Sequence, residues 1–483
     1  MLAEKLFAEV TDENIKSIDI TGIAYDSRAV MHGNVFVCVK GYETDGHKYA
    51  DSAVKNGASL IVAQDKIDVD VPVVYVEDTR KTLADISCAF YGNPSEKFKL
   101  IGVTGTNGKT TITYLVKSIL EEAGMCTGVI GTNQNIIGDK VLLTQSNTPT
   151  TPNSLELQQL FSEMASSMAD CVVMEVSSHA LDLDRVRGCA FDVGVFTNLT
   201  RDHLDFHKTM ENYRDAKAKL FDISKKGVAN IDDEAGRYIA QNKDADILTV
   251  GIDGECDLRA GNIKITAAGV DFDAEYQGKT YPIHLCIPGK FSVYNAMCAA
   301  GAALALGIDM PTVQKGLQKA TGVMGRCEVV PTDTDYSVII DYAHTPDGLE
   351  NIIKTVKEFA KGRVITLFGC GGDRDSTKRS IMGEIAGICS DYCILTSDNP
   401  RTEEPMSIVK MIEEGIKKTD ADYTLIVDRK EAIEYALRMA KKDDVIILAG
   451  KGQETYQIIG KTKIDFDERI VVYNILRKIK EEV

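Results

Sequence analysis

Residues Gly102-Val103-Thr104-Gly105-Thr106-Asn107-Gly108-Lys109-Thr110-Thr111 combine the groups that hold a phosphate chain. Glycines let backbone N–H groups approach phosphate oxygens, and a helix that starts at the lysine favours negative charge. Lys109 can reach terminal phosphates while the Thr110 hydroxyl ligates magnesium. Gly102 through Lys109 reads G-x-x-x-x-x-G-K, after the apolar run Leu100 to Val103. A helical pattern follows, with Leu115, Ile119 and Leu120 on one face and an end at Gly124. Strand, glycine turn, Gly-Lys-Thr and helix together imply a bound nucleoside triphosphate rather than a bare strand–helix turn.

Other candidates sit at strand ends. Glu175 closes the apolar run Cys171 to Val176 and is followed by Val-Ser-Ser-His. A solvated strand end would be unremarked, but an ionisable group against a buried run needs a partner, and magnesium suits it. The run Thr197 to His207 packs two histidines, two aspartates and an arginine into one loop. One such histidine alone is more often structural; the cluster favours His203 as a metal ligand, oriented by Asp205 and His207. Tyr213-Arg-Asp-Ala-Lys217-Ala-Lys219 reads as the charged outer face of a helix. Further on come Gly369 to Asp375, Lys378 and Arg379 at a helix start, Asp398-Asn399-Pro400-Arg401, and Gly450-Lys451-Gly452-Gln453-Glu454. Arginines on strand-end loops suit bidentate capture of a carboxylate, and a nearby glutamate suits an ammonium. Together they describe a pocket for a small zwitterion with an extra acid group.

These positions need a scaffold, and 483 residues suggest about three domains. The fold class is α/β. Residues 1–98 alternate short strands (Val35 to Val39, Ser59 to Ala63, Val71 to Val76) with helices, and Asn93-Pro94-Ser95 reads as a linker. Residues 99–327 carry continuous apolar strands at Cys171 to Val176, Val193 to Thr197 and Val228 to Ile231, the mark of a mostly parallel sheet covered on both faces. Cys256 to Ile287 reads as a small antiparallel insertion. Residues 328–483 form a third α/β unit with strands at Val338 to Asp341, Val364 to Phe368, Tyr392 to Thr396 and Val445 to Ala449. Ligands of such sheets sit off the carboxyl ends of strands, where every motif above falls.

Composition narrows the class. Net charge is −17, from 55 basic and 72 acidic residues, which disfavours nucleic acid as a partner. Apolar runs are of strand length, so no membrane span is expected, and no secretory leader is visible. Twelve cysteines without a C-x-x-C pair, several in apolar runs (Cys171, Cys286, Cys298), read as reduced, buried thiols of a cytoplasmic protein. The oligomeric state is not fixed by the sequence; a monomer is expected.

The ordered motifs resemble the Mur ligase family over nearly the whole chain. They run from Asp26-Ser27-Arg28 through Gly105 to Thr111, Asn147-Thr-Pro-Thr-Thr151, Glu175 to His179 and Asn198 to His203. Asp341 to Pro346, Gly369 to Asp375, Asp398 to Arg401 and Ala449 to Glu454 continue the match. The resemblance implies an ATP-dependent ligase that joins an amino acid to a peptide carboxylate in peptidoglycan precursor synthesis, through an acyl phosphate. It implies an N-terminal UDP-sugar-binding domain, a central P-loop ATPase and a C-terminal, Rossmann-like amino-acid-binding domain. By resemblance, Ser27, Thr150, Thr151, Ser177 and Arg185 hold the UDP-muramoyl-dipeptide. Gly105, Thr106, Asn107, Gly108, Lys109, Thr110, Thr111, Asn295, Arg326 and Asp341 serve ATP. Thr110, Glu175, His203 and Lys217 hold magnesium, with Lys109, Glu175, His203 and Lys217 catalytic. Lys217 matches the family's carbamylated lysine, a role the helix pattern alone does not reveal; Lys219 does not match it. Asp-Asn-Pro-Arg is the family's signature for diaminopimelate, so Arg379, Asp398, Asn399, Pro400, Arg401, Gly450 and Glu454 form its expected pocket. Departures are Tyr42 to Thr44, whose contacts are not carried over, Leu183 in place of a glutamine, and Gln453 in place of a common histidine.

Three rival readings stand beside this one. A lysine-adding relative is separated by its amino acid. A folylpolyglutamate synthase shares the ATPase but has neither the N-terminal domain nor Asp-Asn-Pro-Arg. A nucleotide-switch or binding protein would not need the arginine pocket.

Overall fold

The structure is a computed structural model that describes residues 1–7, 10–41, 44–142, 148 and 150–482. Asn147 and Pro149 of the Asn147-to-Thr151 run, and Tyr42 and Glu43, lie outside the described residues. The chain divides into two compact units, Met1–Arg259 with Met297–Gly316, and Ala260–Ala296 with Leu317–Val483.

The first unit holds two sheets. Strands β1 (Gly22–Ala24), β2 (Asn34–Val37), β3 (Leu60–Ala63) and β4 (Val73–Tyr75) run parallel in that order. Val35, Val37, Leu60 and Val62 bury one face and Phe36, Ile61 and Ala63 the other, as expected of a sheet covered on both sides. The helix Thr79–Tyr91 closes this part; Asp78 accepts from Arg80 N and Lys81 N at its start, and Gly92 ends it at φ +70°.

The second sheet is built from β5 (Lys99–Thr104), β6 (Thr127–Ile130), β7 (Ile136–Ile137), β8 (Lys140–Val141), β9 (Cys171–Glu175), β10 (Phe191–Phe196), β11 (Ser224–Asn230) and β12 (Asp246–Gly251). Their order is β12-β11-β10-β5-β9-β6-β7-β8, parallel from β12 to β6. The strand carrying the phosphate loop, β5, is therefore central, between β10 and β9. The phosphate loop, the Glu175 to His179 run and the Asn198 to His203 run lie at the ends of these three strands. In the helix Lys109–Glu122, Leu115, Ile119 and Leu120 are buried as their spacing requires.

In the second unit, the hairpin β14 (Gly269–Tyr276) and β15 (Lys279–Leu285) follows β13 (Leu258–Thr266) and pairs antiparallel, as expected for the Cys256–Ile287 insertion. Its core sheet contains β16 (Glu328–Val330), β17 (Ser337–Asp341), β18 (Val364–Phe368), β19 (Tyr392–Leu395), β20 (Tyr423–Leu425) and β21 (Val445–Ala449). The order is β16-β17-β21-β18-β19-β20, with β16 antiparallel and the rest parallel. Ile265, Ala267 and Phe291 pack against the same core as β17, β18 and β21. No helix among the described residues is long and apolar enough to cross a membrane.

Candidate active site

Helix Lys109–Glu122 starts at Gly108 (φ +88°) with no side chain capping it, so its first N–H groups remain available to an anion. Upstream, Gly105 sits at φ +148°, and an added Cβ would lie 1.9 Å from Thr197 Oγ1. That hydroxyl donates to Asn107 O at 2.6 Å, while Thr106 N and Asn107 N donate to Asn198 O and Oδ1 at 2.9 and 3.0 Å. The phosphate loop is thus laced to the end of β10. Gly105→Ala should shift the loop off its Thr197 anchor and reduce ATP turnover by roughly 100-fold, with the fold intact by circular dichroism. Turnover within a few-fold of wild type would show that the close approach is not needed.

Lys109, Thr110 and Glu175 lie at the start of this helix and the end of β9. Lys109 Nζ donates to Gly105 O and Thr106 O at 3.0 and 2.9 Å. Thr110 Oγ1 donates to Glu175 Oε1 at 2.9 Å. Glu175 is 1% exposed and accepts further bonds from Thr132 N and Oγ1 at 2.9 and 3.0 Å. It is a buried carboxylate with its partners in place, not a solvated strand end. Thr111 is buried on the same turn.

Lys217 overturns the outer-face reading of its helix, Met210–Asp222. It is 1% exposed, and its Nζ donates to Gly105 O at 2.8 Å. Burial, reinforced by the nearby Lys109 charge, drives its amine well below the ordinary lysine range. Lys219 is exposed and pairs with Asp182.

His203 belongs to an aromatic cluster rather than to the Thr110–Glu175 pair. It is exposed at φ +52°, its Nε2 lies 3.4 Å from Asp202 Oδ2, and its ring centroid is 5.9 Å from that of Tyr213. Tyr213 connects it to the loop, with its hydroxyl 3.3 Å from Thr106 Oγ1 and its ring centroid 4.4 Å from Lys217 Nζ. His207 does not orient His203 as expected; it is buried, hydrogen-bonded to Ser178 Oγ at 2.9 Å and stacked on Tyr213.

Beyond Glu175 the peptide-binding candidates converge. Thr151 Oγ1 donates to Glu175 O at 2.9 Å and accepts from Ser177 N at 3.0 Å. Arg185 Nη1 donates to Thr151 O at 3.2 Å, and Thr150 Oγ1 lies 3.2 Å from Thr132 Oγ1. Ser27 lies on the turn Ser27–Ala29, where its carbonyl accepts from Asn56 Nδ2. Two residues upstream, Tyr25 donates to Glu156 Oε1 at 2.5 Å and accepts from Asn153 Nδ2 at 2.9 Å, tying this turn's strand to the central part.

In the second unit, Asn295 is buried on the helix Lys290–Ala305. The Arg326 guanidinium lies 5.2 Å from the Tyr342 ring centroid, and Asp341 accepts from Cys327 N and Ala343 N at 2.7 and 2.8 Å. Burial raises the Asp341 carboxyl above its ordinary range. The Asp398–Arg401 and Gly450–Glu454 loops meet over Asn399. Its Nδ2 donates to Glu454 Oε2 at 2.8 Å, and its Oδ1 accepts from Lys451 Nζ at 3.2 Å and Ile458 N at 2.8 Å. Lys451, fully buried, also donates to Glu454 Oε2 at 3.2 Å. Asp398 Oδ2 is buried with no hydrogen-bond partner among the described residues. A Cβ on Gly450 (φ +109°) would lie 3.0 Å from it. Arg401, at φ +50°, donates from Nη1 to Gly372 O at 2.8 Å, and Pro400 O accepts from Glu403 N.

Arg379 departs from its expected place as a direct ligand of the amino acid. It is 1% exposed, and both terminal nitrogens are taken by Glu403, at 2.9 and 2.8 Å. It braces the loop that carries Arg401. That pairing, aided by Asp373 N–H, holds the Glu403 carboxyl down at about 2 from an ordinary 4.5. The pair therefore stabilises the fold fully above about pH 4.5 and less as pH falls towards 2. Glu403→Gln should lower the thermal midpoint near neutrality, with the gap to wild type narrowing steadily below pH 4.5. A gap that does not change with pH would refute the pairing's role.

Three family models match in order along the chain. These are the Mur ligase family catalytic domain at residues 19–91, the Mur ligase middle domain at 103–303 and the Mur ligase glutamate ligase domain at 325–452. The chain belongs to the Mur ligase family. A protein of Clostridium acetobutylicum named UDP-N-acetylmuramoyl-L-alanyl-D-glutamate--2,6-diaminopimelate ligase 1 is 50% identical over 487 residues, covering 99% of this chain and all of its own. One of that name without the numeral, from Caldanaerobacter subterraneus subsp. tengcongensis, is 52% identical over 463 residues, 95% of each chain. A solved structure of a ligase with that same name covers 99% of both chains at 31% identity, with a TM-score of 0.75.

In this Mur ligase the motifs do not name every residue that the geometry brings in. Thr132, Thr197 and Tyr213 hold Glu175, the phosphate loop and Lys217; Thr132 lies outside every motif, and the runs opened by Thr197 and Tyr213 do not reveal these contacts. Lys451 was visible as the lysine of Gly-Lys-Gly, but its burial between Asn399 and Glu454 was not.

Proposed function

We propose that this Mur ligase joins meso-2,6-diaminopimelate to UDP-N-acetylmuramoyl-L-alanyl-D-glutamate, using ATP, in peptidoglycan precursor synthesis. The observation that carries this reading is whole-length likeness, at about half identity, to relatives named for that ligation. Residues 1–98 take the UDP-sugar end, 99–327 the ATP and 328–483 the amino acid.

The phosphate loop's N–H groups and Lys109 take the triphosphate, with Asn295, Arg326 and Asp341 serving the rest of the nucleotide. Thr151, Ser177 and Arg185 present the D-glutamyl γ-carboxylate, with Thr150 beside them and Ser27 at the sugar end. That carboxylate attacks the γ-phosphorus to give an acyl phosphate; the diaminopimelate amine then attacks the carbonyl and phosphate leaves. Asp398 Oδ2, buried and without a hydrogen-bond partner among the described residues, suits an ammonium, and Gly450 leaves room beside it. Asn399 and Glu454 complete that end, while Arg401 answers the second carboxylate that separates diaminopimelate from lysine.

The donor set also fits a magnesium ion. Thr110 and Glu175 offer hard oxygens in contact with one another, and His203 adds a nitrogen from the neighbouring cluster. Burial shifts the Lys217 amine towards its unprotonated form, the form that captures CO2, and carbamylation would give it carboxylate oxygens. When bound, magnesium would neutralise charge on the transferring phosphoryl group.

The test is purified protein with ATP, magnesium, UDP-muramoyl-dipeptide and either diaminopimelate or lysine, read by mass spectrometry. ATP-dependent addition of diaminopimelate alone is the expected result. Preferential addition of lysine would point to the lysine-adding reading, and absence of any ligated product would sink the proposal.

A further inference from the structure

The β14–β15 hairpin carries a second constellation, outside every motif used above. In the antiparallel register Asp271 stands opposite His284. Cys286 follows His284 by two residues, the spacing that returns a side chain to the same face of an extended chain. His284 Nδ1 lies 2.8 Å from Asp271 Oδ1, and its Nε2 lies 3.6 Å from Cys286 Sγ. With Nδ1–H donated to the carboxylate, Nε2 holds the lone pair and faces the thiol. Thiol, imidazole and carboxylate in this order let a thiol pass its proton to a base fixed in one tautomer.

Exposure sets this thiol apart. The expectation that Cys286 is buried in an apolar run is wrong: Leu285 and Ile287 are buried, and Cys286, the residue that follows β15, stands exposed between them. Of the twelve cysteines it is the exposed one, while Cys171 and Cys298 are buried as expected. Burial pushes the Cys38 and Cys298 thiols up to about 12, and among the described residues no histidine is bonded to them.

The geometry points to Cys286 as a modification site for low-molecular-weight disulfides, with His284 as its base and Asp271 holding that base. Sγ attacks one sulfur of the incoming disulfide, so a new S–S bond forms as the old one breaks. The thiol proton passes to His284 Nε2 and then to the departing thiolate. The protein keeps a mixed disulfide, the other half leaves as a thiol, and no further oxidant is needed. An ordinary thiol is about 3% ionised near pH 7, so complete proton transfer raises the rate by at most roughly thirtyfold. A stabilised thiolate is a weaker nucleophile, which leaves an expected gain of about tenfold.

The full-length chain, treated near pH 7 with glutathione disulfide and followed by intact-mass and peptide mass spectrometry, tests this. The first mixed disulfide should form at Cys286, about tenfold faster than on a simple cysteine peptide. His284→Gln should bring the rate down to that of the peptide, and the two proteins should converge near pH 10, where the thiol ionises unaided. Asp271→Asn should fall between them. First modification at another cysteine, or a His284→Gln rate equal to wild type near pH 7, overturns the inference.

Discussion

Lys217→Ala should lower ligase turnover by about 100- to 1,000-fold, and Lys217→Arg should not restore it. That expectation follows from where the amine sits. A lysine that is 1% exposed, with Lys109 nearby and its amine against the Gly105 carbonyl and the Tyr213 ring, holds its proton far less readily than a lysine in water. With its ionisation disfavoured, the unmodified amine has little to offer the triphosphate. Converted to a carbamate, it would present oxygens to the phosphate loop at Gly105. Protein prepared with carbon-13 bicarbonate should then give a carbamate carbon signal that vanishes in Lys217→Arg. Removal of dissolved CO2 should reduce activity, with recovery on adding bicarbonate. Near-normal turnover in Lys217→Ala would end this reading, and loss of turnover with no carbamate signal would leave a structural lysine.

The fold was legible where the information is local. The phosphate loop could be read because an apolar strand, glycines and an amphipathic helix follow one another within about two dozen residues. The parallel sheets could be read because β5, β9 and β10 are apolar on both faces. What escaped depends on partners far away in the chain. Lys217 and Lys219 look alike on one helix, yet one is buried at Gly105 O and the other pairs with Asp182 in solvent. Arg379 resembles a free substrate ligand until Glu403, 24 residues later, takes both its terminal nitrogens. Lys451 looked like a loop lysine until Asn399, 52 positions upstream, closed over it. Cys286 shows the opposite error: its apolar neighbours Leu285 and Ile287 are buried, yet Cys286, between them, is exposed.

His203 and Arg401 share an uncommon feature, a left-handed backbone at φ +52° and +50° in residues other than glycine. Such conformations cost energy and persist where surrounding bonds hold them. At Arg401 those bonds are visible: its N–H donates to Ile458 O at 3.1 Å, and its carbonyl accepts from Gly460 N at 2.7 Å. The backbone is clamped on both sides, so the side chain leaves from a fixed point.

That clamp makes Arg401→Ala informative, because the loop has independent anchors and the substitution removes chiefly the guanidinium. The expected result is a fall in kcat/KM for diaminopimelate of about 100- to 10,000-fold, the range for losing a bidentate, charge-assisted pair. The KM for ATP should stay within a few-fold of wild type. Lysine, which has no second carboxylate, should be used no worse than before, so preference between the two amino acids collapses from the diaminopimelate side. Arg401→Lys should recover little, since an ammonium cannot meet a carboxylate through two parallel bonds. Arg379 provides the contrast. Its nitrogens are already taken by Glu403, so Arg379→Lys should act by loosening the loop, with a lower thermal midpoint alongside weaker diaminopimelate binding. If Arg401→Ala left the diaminopimelate-to-lysine ratio unchanged, the second carboxylate would have to be read elsewhere in the pocket.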